Sequence, residues 1–259
     1  RPIVLNGHER PITKIIFNRD GDLIFTAAKN PFVNVWFTAN GERLGNYIGH
    51  DGVVWWLDVD FATRQLLTAS GDYHCKLWDI ETGNELADYV STAPMRSCGI
   101  SYSGNLLLLT SDDAHSEGKK KVSEIVVIDK RDPSHIAGES NVFYATSADK
   151  SKVTGSLWGP LDQTIICGHD SGALSVLDIR NGEVLHHSQP HKGPITDLQM
   201  HLHMPIFSVP MTFPPFARTP LRGLSILPLF HQRVITFATG GEEGYVRLHT
   251  FDADYADLD

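Results

Sequence analysis

A repeat in the first third of the chain restricts its fold more than any other feature. Four polar or aromatic side chains recur in the same order at a spacing of 42 residues. The pairs are His8 and His50, Thr26 and Thr68, Asn30 and Asp72, and Trp36 and Trp78. Because spacing, order and residue type all agree, this part of the chain consists of two copies of one structural unit.

A repeat of about 40 to 45 residues that runs from Gly-His to Trp-Asp is typical of one blade of a β-propeller, a sheet of four antiparallel strands. The second copy contains both signals, Gly49-His50 and Trp78-Asp79. Between and after them lie four short apolar or β-branched segments bounded by turn residues, at 53–58, 65–69, 75–78 and 85–89. We therefore predict an all-β chain of the WD-repeat β-propeller class, in which about four to five blades can be recognised.

The repeated residues can form one buried chain of hydrogen bonds. A buried Trp needs an acceptor for its indole N–H, and a Thr hydroxyl supplies one. The hydroxyl can donate to a His ring nitrogen, while an Asp or Asn in the turn between the second and third strands holds the other nitrogen. Such a network stabilises a fold only when every member has a partner. We therefore expect His8 and His50 to be structural rather than catalytic or metal-binding.

The blade pattern extends along most of the chain, which predicts a single propeller domain over residues 1–259. The predicted units are blade 1 at 1–48, blade 2 at 49–90, blade 3 at 91–143, blade 4 at 144–188, the start of blade 5 at 189–200, and a last blade at 234–259. In blade 3, Ile128-Asp129 stands where Trp-Asp is expected. That blade also carries an inserted segment at 112–122 with three consecutive lysines, which we interpret as a surface loop.

Residues 201–233 interrupt the repeat, because six prolines in this segment each remove a donor that a central strand needs. Two arrangements are open. One is an incomplete ring with seven-bladed geometry. The other is a ring of five, in which a hybrid last blade combines 195–200, 234–239, 245–251 and a closing N-terminal strand at 3–5. Wedges shaped for seven blades would leave gaps in a ring of five, so packing favours the incomplete ring.

The composition excludes several classes of protein. Hydrophobic residues make up 41% and charged residues 20%, as in a globular protein, and no segment is apolar enough to cross a membrane. The net charge of -9 disfavours a nucleic-acid-binding surface over the whole molecule. Cys75, Cys98 and Cys167 are odd in number and far apart, and the first residues carry no secretory signal. These features favour a cytoplasmic protein without disulfides or a zinc site.

No motif predicts catalysis, a cofactor or a metal. The string Gly168-His169-Asp170-Ser171-Gly172 resembles a hydrolase nucleophile loop, but in register it is the turn between the second and third strands of a blade. The five His residues between 186 and 203 lack helical spacing and clustered carboxylates. We therefore expect a non-enzymatic protein.

Recognition of other macromolecules is the activity that these observations leave, since the loops of a propeller meet on a rigid rim. One face of the ring collects the loops between blades and the turns between second and third strands. Exposed aromatic and arginine side chains anchor interfaces more often than other residues. The candidate contact residues on this face are Arg10, Phe32, Trp55, Tyr73 and Arg96, with packing between blades as the alternative for each. Trp55 and Trp56 point to opposite sides of one strand, and the sequence leaves open which is buried.

Several unit-specific segments resemble the family of subunit I of eukaryotic translation initiation factor 3. The matching segments lie at 5–10, 21–26, 33–36, 40–45, 131–134, 157–161 and 240–249. The resemblance covers residues 1 to about 200 and 234–255, and it does not cover 201–233.

The resemblance implies a seven-bladed propeller that serves as a scaffold in the cytoplasm, with no reaction or cofactor of its own. The implied partners are subunits B and G of the same factor and, within the complex, the small ribosomal subunit; direct RNA contact stays open. The missing repeats include blades that the family uses to hold the first of these partners, so no binding residue is transferred from there. The alternative function is that of a general WD-repeat adaptor in signalling or ubiquitin transfer.

Overall fold

The computed structural model describes residues 4–113, 123–131, 143–146, 151–201, 235–241 and 246–251. In these ranges nineteen strands form five antiparallel sheets, four with four strands and one with three. Each sheet is a meander in which every strand pairs with its neighbours in sequence. The prediction of an all-β fold is therefore confirmed.

The first sheet contains β1 (Ile12–Phe17), β2 (Leu23–Ala28), β3 (Phe32–Phe37) and β4 (Arg43–Ile48). The second contains β5 (Val54–Val59), β6 (Gln65–Ser70), β7 (His74–Asp79) and β8 (Glu85–Val90). The third contains β9 (Met95–Ile100), β10 (Leu106–Asp113), β11 (Ser123–Asp129) and β12 (Phe143–Thr146). The fourth contains β13 (Val153–Trp158), a single 3-10 turn at Pro160–Asp162, β14 (Thr164–His169), β15 (Leu174–Asp178) and β16 (Val184–Ser188). The fifth contains β17 (Ile195–His201), β18 (Ile235–Gly241) and β19 (Val246–Phe251).

Burial in the second sheet follows the position of each strand. β6 is buried along nearly all of its length because it lies between β5 and β7 and under the neighbouring sheets. β8 is the outer strand, and its Leu86, Asp88 and Val90 face solvent while Tyr89 is buried. All four strands begin and end within one residue of the bounds predicted from the repeat. Apolar alternation between turn signals was therefore sufficient to place them.

The innermost strand of each sheet carries a β-bulge at the same place. The bulged residues are Thr13, Trp55, Arg96, Thr154 and Thr196. A bulge adds one residue to a strand and re-aims its side chain. In the first sheet Thr13 Oγ1 donates to Val54 O at 2.7 Å, and in the fourth Thr154 Oγ1 donates to Ile195 O at 2.5 Å. In these two sheets the bulge therefore ties one inner strand to the next.

Side chains from several sheets fill the centre of the ring. Trp56 on β5 is buried, and its indole packs so tightly on Gly155 of β13 that a Cβ there would lie 2.9 Å from the ring. The ammonium of Lys14 on β1 lies 3.7 Å from the centroid of the Trp56 ring. Cys98 of β9 and Leu198 of β17 belong to the same buried cluster. Trp56 is thus the buried member of the Trp55-Trp56 pair.

Lys14 also connects the first sheet to the fifth. Its ammonium forms an ion pair with Asp197 and donates to Leu198 O at 3.3 Å. β17, β18 and β19 lie in one sheet, as in the hybrid blade considered above. The sheet of the hybrid blade is therefore present in the described ranges, and the choice between the ring of five and the incomplete seven-bladed ring stays a prediction.

The N-terminal segment does not supply the expected closing strand in the residues described. Val4 and Leu5 lie outside any strand, and the Val4 side chain is exposed. The predictions for the lysine-containing part of the insertion and for residues 202–233 fall outside the described ranges. No helix in the described ranges has the length and apolarity needed to cross a membrane.

One partly buried carboxylate lies beside this core. Asp58 on β5 accepts hydrogen bonds from the backbone N–H groups of Ile100 at 2.8 Å and of Val59 at 3.0 Å. Burial raises its pKa from 3.8 to about 6, although these two hydrogen bonds and the charge of Lys14 act in the opposite direction. The folded state therefore binds the Asp58 proton more tightly than the unfolded chain does.

We predict that Asp58→Asn changes the pH dependence of stability. Because the pKa of Asp58 is higher in the folded state, its contribution to stability is full below about pH 4 and is lost as the pH rises to about 6. Across that interval the wild type should lose roughly 2–3 kcal/mol of unfolding free energy relative to the variant. Urea unfolding at a series of pH values measures the difference. If the unfolding free energies of the two proteins changed in parallel with pH, the raised pKa of Asp58 would be contradicted.

Candidate protein-docking face

In the second sheet the repeated side chains form a continuous chain of hydrogen bonds. Trp78 Nε1–H donates to Thr68 Oγ1 at 2.9 Å, and His50 Nε2 lies 2.8 Å from the same oxygen. His50 Nδ1 lies 2.9 Å from Asp72 Oδ2, which also accepts the backbone N–H of Asp51 at 2.9 Å. Trp78, Thr68 and His50 are all buried. The network therefore ties the loop before β5 to the interior of the sheet.

The first sheet forms only part of this network. Trp36 Nε1–H donates to Thr26 Oγ1 at 2.9 Å, and His8 Nε2 lies 2.8 Å from that oxygen. Asn30, which the repeat predicts to hold His8, does not do so: His8 Nδ1 and Asn30 Oδ1 are buried without a hydrogen-bond partner among the described residues. The amide of Asn34 approaches His8 Nε2 instead, at 3.2 Å. A neutral amide at position 30 lacks the charge with which Asp72 attracts a histidine N–H.

The protonation of the second network follows from its surroundings. Burial lowers the pKa of His50 below 6.5, against the opposing effect of the Asp72 carboxylate. For Asp72, burial acts to raise the pKa, but the Asp51 N–H and His50 outweigh it and the pKa is lowered. Neutral His50 then donates from Nδ1 to Asp72 and accepts at Nε2 from the Thr68 hydroxyl, leaving that oxygen free to accept from Trp78. Every donor in the chain therefore has an acceptor.

We predict that Thr68→Val destabilises the protein more than Thr26→Val. Both changes keep the side-chain shape and remove a buried hydroxyl that accepts from a Trp. Only Thr68→Val breaks a network of hydrogen bonds that ends on a carboxylate. We expect losses of about 3 kcal/mol for Thr68→Val and about 2 kcal/mol for Thr26→Val. Urea unfolding of the two variants side by side measures the two losses of unfolding free energy. Equal losses, or a larger loss for Thr26→Val, would show that the hydrogen bond between His50 and Asp72 contributes nothing to stability.

The polar string at 168–172 has structural partners as well. In the string at 168–172, His169 Nε2 lies 2.6 Å from Ser175 Oγ, while Ser171 Oγ accepts the backbone N–H of Ala173 at 3.3 Å. This hairpin is the turn between β14 and β15, as the register predicted. Within the described ranges no three His, Cys, Asp or Glu side chains are placed to hold one metal ion. The hydrogen bonds of the 168–172 string stabilise the turn between β14 and β15.

The candidate docking face, called the docking face below, is the end of the ring that carries Lys29, Trp55, Tyr73 and Arg96. Its centre is Trp55, which the β5 bulge directs towards this end instead of into the sheet. The guanidinium of Arg96, itself on the β9 bulge, lies 4.6 Å from the Trp55 ring centroid, and the Lys29 ammonium lies 5.8 Å away. Both distances fall within the range of cation–π attraction. Trp55 remains half-buried, so part of its ring is accessible.

The other candidate residues are arranged differently. Phe32 stacks on His8, with ring centroids 5.6 Å apart and planes inclined by 13°, so it is engaged within the first sheet. Arg10 is exposed on the loop before β1. Tyr73 is exposed and has a φ of 77°, a left-handed conformation that a Tyr rarely adopts. The structure thus brings Trp55 and Arg96 together.

Sequence reasoning missed two contributors to this face. Lys29 was not a candidate, although it is exposed and next to Asn30 in the turn before β3. Gly71 allows Trp55 to lie close, because a Cβ at position 71 would be 3.1 Å from Trp55 Nε1. The repeat could have suggested Lys29, because its turn in the first sheet is the counterpart of the turn in the second sheet that carries Tyr73. Nothing in the sequence indicates the contact of Gly71 with Trp55.

Comparison with known proteins gives the family. The family model EIF3I matches residues 1–209. The chain belongs to the EIF3I family. The resemblance to subunit I of eukaryotic translation initiation factor 3, seen in the residues of the repeats, is therefore confirmed.

Similar proteins support the same family. Eukaryotic translation initiation factor 3 subunit I of Xenopus laevis is 33% identical over 328 residues, which include 100% of this chain and 99% of the relative. That alignment is longer than the 259 residues of the chain, so this EIF3I chain lacks internal sequence that the relative has. The protein of the same name from Oryctolagus cuniculus is 44% identical over 209 residues, 80% of this chain and 61% of the relative. In that match the chain spans about three fifths of the relative's length.

A solved structure supports the fold. The β-propeller domain of Cps50 (Swd1) from Myceliophteria thermophila superposes on 100% of this chain and 71% of that domain, with a TM-score of 0.66. The sequence identity is 16%, so the likeness concerns the fold alone. Together with the five meandering sheets, it confirms the prediction of a WD-repeat β-propeller.

Proposed function

We propose that this EIF3I protein is a non-enzymatic scaffold subunit of eukaryotic translation initiation factor 3. It docks other subunits of the factor, with subunits B and G as the expected partners, during assembly of the initiation complex on the small ribosomal subunit in the cytoplasm. Membership of the family and the Trp55–Arg96 pair on the docking face support this proposal.

The docking face has the chemistry of a protein-binding site. Trp, Tyr and Arg are the residues that most often contribute large binding energies at interfaces. Trp55 offers an accessible aromatic ring that is fixed in place by the β5 bulge and by Arg96. A partner that brings a carboxylate to Arg96 and an apolar group to Trp55 would satisfy both at little cost in side-chain ordering.

The polar networks of the protein support a role without catalysis. Both ring nitrogens of His50 are engaged with Thr68 and Asp72, and His50 is buried. A general base or nucleophile must reach a substrate, and a histidine with both nitrogens occupied inside a sheet has no such access. The residues that repeat along the chain therefore stabilise the sheet and the loop that leads into it, and the residues that differ from blade to blade are left for recognition.

Affinity purification of the full chain tests this function. We predict that the wild type recovers other subunits of initiation factor 3 and the small ribosomal subunit. Arg96→Glu should weaken recovery about tenfold or more, because it reverses the charge beside Trp55 and places a carboxylate where a partner's carboxylate would bind. Trp55→Ala should act in the same direction.

The matched control is Arg43→Glu, an equal charge reversal at an exposed position on the outer strand β4. It should leave recovery unchanged, and thermal unfolding should show that all variants are folded. Recovery of signalling or ubiquitin-ligase proteins without any initiation-factor subunit would refute the proposed function. Full recovery by Arg96→Glu and Trp55→Ala would refute the proposed face and leave the function standing.

A further inference from the structure

A row of side chains runs across four sheets at the end of the ring opposite the docking face. It consists of Arg19, Phe61, Tyr102 and Leu161, and we call it the aromatic row. Each comes from the connection between the first and second strands of its sheet. Because β1, β5, β9 and β13 run in the same direction through the ring, these four turns share one end.

Three members of the row contact one another across sheet boundaries. The guanidinium of Arg19 lies 4.0 Å from the centroid of the Phe61 ring. The rings of Phe61 and Tyr102 have centroids 4.5 Å apart and are inclined by 54°. These distances are those of cation–π and aromatic pairs that stabilise each other. Tyr102 is nevertheless 45% exposed, so the row presents an aromatic surface to solvent.

Leu161 extends the row in a strained conformation. Its φ of 55° and ψ of 23° are left-handed, and Asp162 beside it has a φ of 57°. The Asp162 carboxylate holds this turn against the third sheet by accepting the backbone N–H groups of Tyr102 at 2.7 Å and Ser103 at 3.0 Å. Leu161 is 81% exposed. An apolar side chain that is held in solvent by a strained backbone gains nothing from the fold of the chain alone.

The charge around the row determines which partner fits it. Acidic side chains on turns at this end are Asp20, Asp22, Glu42, Asp60, Glu81 and Glu183. The cationic side chains at this end are Arg19 of the row itself, Arg64, Lys130, Arg131 and Arg180, fewer than the acidic ones, and the last two form ion pairs within their own turns, with Asp129 and Asp178. Among the described residues this end therefore has an excess of negative charge. Such a surface repels phosphate groups and attracts cationic side chains.

We propose that the aromatic row binds an extended basic segment of another protein. An arginine side chain of that segment stacks on the exposed ring of Tyr102, an apolar side chain packs on Leu161, and the surrounding carboxylates supply charge complementarity. This surface is separate from the docking face and does not depend on the partners proposed there. A propeller with two such faces can hold two proteins at the same time.

Fluorescence anisotropy with the full chain tests the proposal. The probes are a fluorescein-labelled peptide of Arg-Gly-Leu-Gly repeats, the same peptide with Glu in place of Arg, and a labelled oligouridylate. We predict that only the arginine peptide binds. Tyr102→Ala should weaken its binding roughly fivefold to tenfold, as expected for the loss of a cation–π contact. Leu161→Gly should weaken it severalfold while raising the melting temperature, because Gly adopts the left-handed conformation without strain.

Tyr73→Ala is the matched control, since Tyr73 is exposed to the same degree as Tyr102 but lies on the docking face. It should leave binding of the arginine peptide unchanged. Equal weakening by Tyr73→Ala and Tyr102→Ala would overturn the proposal, as would binding of the oligouridylate at the row or absence of binding by the arginine peptide. Recovery of initiation-factor subunits by the same variants is a separate readout, so failure here leaves the proposed function untouched.

Discussion

The contact of Lys14 with the fifth sheet is the interaction on which the arrangement of the ring depends. A buried ammonium is costly unless charge and hydrogen-bond partners surround it. Lys14 finds the Asp197 carboxylate and the Leu198 carbonyl on β17 and the face of Trp56 on β5. These partners come from two different sheets, so their positions are fixed relative to β1. With the first and fifth sheets in contact, the turns at both ends of the ring acquire fixed positions.

One repeated position, the bulge on the inner strand, is used in different ways from sheet to sheet. The bulge on each inner strand directs a side chain towards one end of the ring. Where the bulged residue is Thr13 or Thr154, its hydroxyl ties one sheet to the next. Where it is Trp55 or Arg96, the two half-buried side chains contact each other, and these are the residues that we propose for docking.

The sequence predicted the elements that depend on local pattern. Spacing and residue type located Trp78, Thr68 and His50, and the structure joins them by hydrogen bonds. The sequence could not predict that Asn30 fails to hold His8, because that depends on a ring orientation set by neighbouring side chains. It also could not predict the Lys14–Asp197 contact, which joins residues 183 positions apart. Such long-range contacts follow from how sheets pack, and the repeat describes only one sheet at a time.

A double-mutant cycle at Lys14 and Asp197 tests the contact between the first and fifth sheets most directly. The single changes Lys14→Met and Asp197→Leu each leave a charge without its partner, and each should lower the free energy of unfolding by about 3–5 kcal/mol. The double variant removes both charges and should lose much less than the sum, giving a coupling energy on the order of 2 kcal/mol or more. Additive losses with no coupling would show that β1 and β17 are not held together in solution, and the fixed faces inferred from that contact would not stand.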